Sequence, residues 1–383
     1  MAIIRVKTSK ELPMNKKLVI LTLILALCSI AMAQTNKLSG EFWSRWTMQQ
    51  SRNAATGDDE ITKNYLALER GYLGLETAFS EDTKARFTID LFSTDAVGDG
   101  AGLKLKYAYV DFANRIPIAD MTLSAGLQKV YFGSIYDWDY TLIGKAPSDE
   151  YKLANSADYG LSLNGYLPSG MGSYALGIYN GEGYKKTGAA LKDNTDFAYL
   201  ANLRLTPISG LSLGGSFMAN TTERENLLTD NSLNPKYEQQ MLADALVRYV
   251  MGPMDVMAEY LVKDVKYSDS FSASDYTASG IMIFPTLNLK NLTGYDMQIL
   301  GRYDMWDESD RSDSSKHKLN AITGGVNYNF MHDDSGKAKM NLQLNVTNKS
   351  YLEDDSAPAY ADGAKDQLQV MAQLKWRFSN TLN

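Results

Sequence analysis

Two histidines, a handful of paired acids and one glycine-rich stretch of five residues are the residues of this chain that could do chemistry. His317 and His332 would each need a partner to act as a metal ligand or as the base of a nucleophile. The alternating pattern puts them at opposite ends of one strand, which prevents them from sharing a site, so both read as solvated surface residues. "GDGAG" (98–102) has the look of a phosphate loop, but no helix and no Lys-Ser/Thr follows it; it reads as a flexible loop. Asp58-Asp59, Asp333-Asp334 and Asp354-Asp355 offer carboxylates to calcium or to lipid headgroups bridged by divalent ions, without the spacing of a dedicated site. A catalytic set is therefore missing, and no cofactor or metal site is expected.

The elements that would position such residues are nearly all of one kind. Apolar and polar residues alternate about sixteen times, predicting strands at 38–49, 66–79, 83–93, 103–114, 120–130, 157–168, 172–182, 195–206, 210–219, 238–251, 253–266, 276–288, 294–305, 317–331, 337–350 and 364–379. Strands 1 and 12 fit the pattern least well. Short connections rich in turn formers, such as "PSGM" (168–171), "MGP" (251–253) and "MHDDSG" (331–336), alternate with long polar ones at 221–238, 306–318 and 351–366. No helical period, linker or low-complexity tract interrupts them.

The front of the chain is different. Lys16 and Lys17 precede the apolar run Leu18 to Ala33, which closes on Ala31-Met32-Ala33, the layout of a secretory signal. Residues 1–33 are expected to be removed, and Met14 is an alternative start. Cys28, the one cysteine of the 383 residues, follows Leu27 where a lipoprotein would have a small residue. The remaining chain, 34–383, is read as a single domain without a thiol. It carries 33 Lys and Arg against 44 Asp and Glu, an acidity that excludes nucleic acid as a partner.

One domain of that size is large for a single packed core. Closing sixteen strands leaves a lumen too wide for side chains to fill, so the polar face must be the one inside. The fold expected is an all-β, antiparallel, up-and-down transmembrane barrel of about sixteen strands, with short turns on the periplasmic side and long loops outside. Leu342, Leu344 and Val346 then meet lipid, and Gln343 meets water. Tyr72, Tyr109, Tyr249, Tyr303 and Tyr328, near strand ends, suggest aromatic girdles.

The inward face predicts a pore lined by Lys84, Arg86, Asp90, Arg204, Arg248, Glu259, Lys263, Arg302, Asp304 and Lys375. Counting Arg70, Lys349, Arg377, Glu76, Asp244, Asp255 and Asp296 as well, the wall holds ten bases against seven acids, which favours a mild anion preference. The longest connection, 131–156, carries Tyr131, Phe132, Ile135, Trp138, Tyr140, Leu142 and Ile143 and is too apolar to stand in water. It is expected to pack inside the wall as a constriction loop, presenting Tyr131, Asp137, Trp138, Asp139 and Lys145. Packing over the rim or on a neighbouring subunit are the alternatives.

"ERGYLGLETAFSEDTKARFTIDLF" (69–92), "KYAYVDF" (106–112), "SADYGLSLNGYLPSGMGSYALGIYNGEGY" (156–184) and "LGRYDMWD" (300–307) resemble the phosphate-selective porin O and P family. The alternation ending in Phe378 resembles the carboxyl-terminal assembly signal of outer-membrane barrels, here followed by Ser379 to Asn383. The resemblance implies a sixteen-stranded homotrimeric diffusion channel in the outer membrane of a Gram-negative bacterium. Its partners would be the outer-membrane lipid and lipopolysaccharide, the barrel-assembly machinery, and small polar solutes or anions. A structural or adhesive barrel with a blocked lumen, and an outer-membrane enzyme, remain as alternatives.

Overall fold

The computed structural model describes residues 35–52, 58–93, 101–115, 120–186, 196–223, 237–267, 275–310, 318–352 and 366–382. The expected signal, His317, Asp354, Asp355 and most of the connections at 221–238, 306–318 and 351–366 lie outside the described residues.

Sixteen strands form one closed antiparallel barrel, each paired with its sequence neighbours and the first with the last. They are β1 (Thr35–Arg52), β2 (Asp59–Ala78), β3 (Thr83–Ser93), β4 (Ala101–Ala113), β5 (Met121–Lys129), β6 (Ala157–Leu167), β7 (Gly172–Tyr179) and β8 (Ala198–Ile208). The second half holds β9 (Leu211–Glu223), β10 (Tyr237–Met251), β11 (Met254–Tyr267), β12 (Tyr276–Asn288), β13 (Met297–Asp307), β14 (Lys318–His332), β15 (Ala338–Leu352) and β16 (Gln367–Leu382). Two single-turn helices, α1 (Pro147–Glu150) and α2 (Lys290–Thr293), sit in connections. No helix among the described residues is long and apolar enough to cross a membrane.

Closure leaves no edge strand, although β2 before Gly71 pairs with β1 alone and β4 before Ala108 pairs with β3 alone. The seam runs from Asn36 opposite Leu382 to Ser51 opposite Gln367, so Ser379 to Leu382 continue the last strand beyond Phe378. Strand β12 keeps its register with β13 across Pro285, whose missing N–H interrupts the pairing between Ile283–Tyr303 and Thr286–Leu300. Where β11 begins, the chain reverses through Gly252 and Pro253 alone, between the paired Met251 and Met254. Gly252 has φ 58°, which suits the first central position of a two-residue hairpin, and proline's fixed φ suits the second.

Alternation decides the faces. Leu342, Leu344 and Val346 are 41%, 50% and 49% exposed, while Gln343 and Asn345 between them are 0% and 1%. In β16 Leu368 and Leu374 point outward, and Met371, the apolar residue in the polar series, lies buried on the inner face. The outward rings Phe42 and Trp376 stack across the seam at 4.3 Å.

Several expectations need correction. Strand β2 starts at Asp59, seven residues before the predicted 66, so Asp59 pairs with Arg52 instead of lying in a loop. Connection length does not alternate strictly: 289–296 at the short-turn end is longer than 53–58 at the other, because α2 is built into it. Tyr72 and Tyr109 are not girdle residues. Tyr72 lines an interior cavity and lies under Arg70, and Tyr109 meets the inward Tyr107 edge-on at 6.0 Å. His332 is not merely solvated, since it ends β14 and bonds Asp296 Oδ2 at 2.8 Å. Asp296 itself lies in the turn before β13, not on the wall.

Candidate functional site: the lumen and its inserted loop

The connection 130–156 leaves β5 and contacts strands around the whole circumference, which places it inside the barrel. On one side Gly133 N donates to Ser216 Oγ at 2.9 Å, and Ser134 N donates to Glu259 Oε1 at 3.0 Å. On the other, Gln343 Nε2 donates to the carbonyls of Tyr140 and Thr141, each at 2.7 Å, and Asn345 Nδ2 to that of Ile143 at 3.1 Å. Arg302 Nη1 donates to Lys145 O at 2.6 Å, and Lys375 Nζ to Asp139 O at 3.3 Å. Lys106 Nζ on β4 bonds Ser156 Oγ where the loop returns.

The reason the loop enters is legible in its composition. Phe132 and Leu142 are 0% and 1% exposed, packed against inner-face residues such as Leu242, Leu261 and Met282. Each such burial contributes about 1.5–3 kcal/mol, and the wall's amides satisfy the loop carbonyls that have no ladder of their own. Gly133 suits this place: its φ is 53°, and a Cβ would lie 2.2 Å from Glu259 Oε1 and displace that carboxylate. Gln343 therefore faces inward but meets the loop rather than open water.

Burial pushes the phenols of Tyr131, Tyr136, Tyr140 and Tyr151 up, so all four stay neutral hydrogen-bonding groups. Burial would also raise the Glu150 carboxyl, but Lys349, Arg302 and Lys145 outweigh it and hold it below the usual carboxylate range. Its oxygen lies 3.4 Å from Lys349 Nζ.

The sequence-selected charges divide into two groups. Arg204, Arg248 and Arg302 are committed to carboxylates. Arg204 clasps Asp137 of the loop. Arg248 binds Asp255 at 2.9 and 2.6 Å. Arg302 binds Asp304 through two 2.7 Å contacts, with both side chains almost fully buried. Glu259 is fully buried under Ser134 and serves as a loop anchor. Lys263 is half-buried on the same face of β11. Lys375 lies 3.5 Å from Glu41.

The β2–β4 sector is different. Arg70 Cζ lies 4.9 Å from the Trp43 ring centre and 5.9 Å from that of Tyr140, and Arg86 lies 4.8 Å from Tyr107. Among the described residues no carboxylate comes within ion-pair distance of Arg70 or Arg86. Asp90 is buried beside them on β3, and its Oδ1 has no hydrogen-bond partner. Lys84 is exposed, the second residue of β3 next to the turn at 79–82, and so sits at the rim.

Of the loop residues, Tyr131 packs on Tyr136 at 5.1 Å, and Trp138 lies 5.5 Å from Phe284 and donates to Gly144 O at 3.0 Å. Asp139 is exposed to two cavities, whereas Asp137 opens on one. Lys145 lines another.

Three cavities surround the loop. One of about 300 Å³ opens toward the long-loop end, between Arg45, Glu69, Lys145, Arg302 and Gln373. A larger one of about 890 Å³ lies toward the short-turn end, between Glu41, Arg86, Lys106, Tyr136 and Arg377. A third, about 320 Å³, lies beneath Asp137 beside Arg248 and Phe284. The first two share only Trp43 and Tyr140.

Period-two reasoning missed Trp43, Arg45, Glu69, Lys104 and Lys106. The register shifts where Trp43 pairs with Arg70 but Ser44 with Leu68, so Glu69 is the extra residue of a bulge and lines the lumen beside Arg70. A second shift at Thr88/Ile89 leaves Lys106 unpaired with β3, and it joins Tyr107 on the inner side. The alternation of Trp43, Arg45, Thr47 and Gln49, and of Lys104 and Lys106, was the available signal.

No protein family pattern and no curated protein matches this sequence. Solved structures do. A trimer form of OmpT, an outer membrane protein of Vibrio cholerae, aligns over 91% of this chain and 100% of its own at 10% identity, with a TM-score of 0.60. An anion-selective porin from Comamonas acidovorans aligns over 90% and 100% at 14% identity, TM-score 0.58. OmpF of Salmonella typhi aligns over 90% and 97% at 12% identity, TM-score 0.58. The chain therefore has the closed antiparallel barrel fold seen in these structures.

Proposed function

We propose that this protein is an outer-membrane porin, a water-filled channel through which small hydrophilic solutes diffuse without chemistry or cofactor. The observation that carries the reading is the distribution of polarity. An apolar outer face encloses a lumen lined by arginines, lysines, carboxylates and amides, and a folded loop divides that lumen without filling it. Under this reading the long-loop end faces outward and the short turns face the periplasm. The protein would sit in the outer membrane among lipid and lipopolysaccharide, inserted by the barrel-assembly machinery. The trimeric form of a structural relative favours a homotrimer here.

A modest anion preference follows from an asymmetry across the lumen. Arg204, Arg248 and Arg302 are largely neutralised by Asp137, Asp255 and Asp304. Arg70 and Arg86 lie on aromatic rings, which leave their net charge intact. One observation favours the second reading, a barrel closed to solutes: among the described residues the outer and inner cavities share the Trp43 and Tyr140 rings, whose centres lie 4.8 Å apart.

Conductance of the purified protein in a planar bilayer separates these readings. Discrete current steps with a reversal potential displaced toward anions are expected in a potassium chloride gradient. A silent, correctly folded barrel would overturn the channel reading in favour of the closed one.

A further inference from the structure

We infer that the junction between the outer and inner cavities is a binding site for a flat-faced ring solute bearing one carboxylate, specifically a sugar acid of the hexuronate type. The inference rests on the channel reading and deepens it by naming a solute class.

Among the described residues Trp43 and Tyr140 line both cavities, so these rings stand at the junction between them. Two cations attend the same rings. Arg70 lies on Trp43 at 4.9 Å and reaches Tyr140 Oη at 3.5 Å. Lys375 Nζ lies 5.4 Å from the Trp43 ring centre and 5.9 Å from that of Tyr140, and it is already shared with Glu41 at 3.5 Å. Such stacks hold a guanidinium weakly enough for a carboxylate to draw it away through a charge-assisted, two-pronged hydrogen bond. The aromatic face so released is then available to the apolar face of the solute ring.

A small spherical anion explains the two cations but has no use for the indole and phenol. A simple hydrocarbon acid explains rings and cations but not what precedes them. The outer cavity presents Gln369, Gln373, Thr47, Thr323 and Thr347, and Arg45 Nε already bonds Gln373 Oε1 at 2.9 Å. Groups of this kind exchange hydrogen bonds with the hydroxyls of a polyol at little net loss, as they do with water. Rings, two cations and a hydroxyl-matching approach together describe a saccharide acid.

The test uses the full barrel with glucuronate, glucose, acetate, benzoate and phosphate as probes. Binding to the detergent-folded protein is read by titration calorimetry, and current block is read in bilayers. Glucuronate should bind at about tenfold lower concentration than any of the others, an increment of about 1.4 kcal/mol. Trp43→Leu should reduce glucuronate to the level of acetate, and Arg70→Gln should reduce it to the level of glucose. Trp43→Phe and Arg70→Lys should keep part of the preference. Gel migration resistant to unfolding without heat verifies that each variant is a closed barrel. Equal binding of glucuronate and acetate, or of glucuronate and glucose, would overturn the inference in the wild type alone, without recourse to variants. Benzoate binding as tightly as glucuronate would replace the saccharide by an aromatic acid, and phosphate binding as tightly would reduce the site to a simple anion site. Absence of any chloride current strikes the channel reading instead, and calorimetry would still decide the ligand.

Discussion

Removing Arg302 should damage the barrel more than removing Arg302 and Asp304 together. Arg302 is 6% exposed and Asp304 2%, and the guanidinium makes two 2.7 Å contacts to the carboxylate and one of 2.6 Å to Lys145 O. Arg302→Met would leave Asp304 charged in a place shielded from water, a change that costs about 3–5 kcal/mol. Arg302→Met with Asp304→Leu removes both charges and fills most of their volume with apolar atoms. What remains is the orphaned carbonyl of Lys145, costing about 1–3 kcal/mol. Because that carbonyl is orphaned in both variants, the double variant should recover roughly 3–5 kcal/mol relative to the single. Denaturant midpoints of the detergent-folded protein, with a shared slope, measure the difference. Open-channel current noise should rise in both variants, since both release the loop at Lys145. A double variant as unstable as the single would refute the claim that an uncompensated buried carboxylate is the cause.

On the outer wall, Leu344→Arg should cost about 2–4 kcal/mol in lipid, whereas Gln343→Ala should spare the barrel but loosen the loop at Tyr140 and Thr141. Unfolding midpoints and current noise separate these two effects. Arg86→Glu should move the reversal potential toward cations, and Lys84→Glu, at the rim, should move it far less; equal shifts would remove the distinction drawn between them. Because the folded protein holds the Glu150 proton less tightly than the unfolded chain, the Lys349 contact contributes fully above the ordinary glutamate value of 4.5. That contribution is lost as pH falls through the lowered folded value, so current noise should rise in acid in the wild type but not in Glu150→Gln. A cysteine placed at Ser335, in the turn between β14 and β15, should resist impermeant thiol reagents in intact cells; labelling there would reverse the assigned orientation.

The alternation of residues such as Leu342, Gln343, Leu344 and Asn345 determined the strands, their number and their two faces, because the pleat allows only one phase once the neighbours are set. The length and apolar composition of the connection 131–156, with Phe132, Leu142 and Ile143, gave the expectation of packing inside the wall, while its placement against the rim or a neighbouring subunit stayed open in the sequence. Tertiary structure alone decided which charges remain available to a solute. Bulges at Glu69 and Lys106 rotate those side chains inward, and a period of two cannot represent an extra residue. Pairing is also invisible in one dimension: Arg204 meets Asp137 across 67 residues, and Arg70 meets Trp43 because two strands happen to be neighbours in the ladder. A list of inward charges therefore describes the wall, but the field inside the barrel depends on which of them the fold has already neutralised.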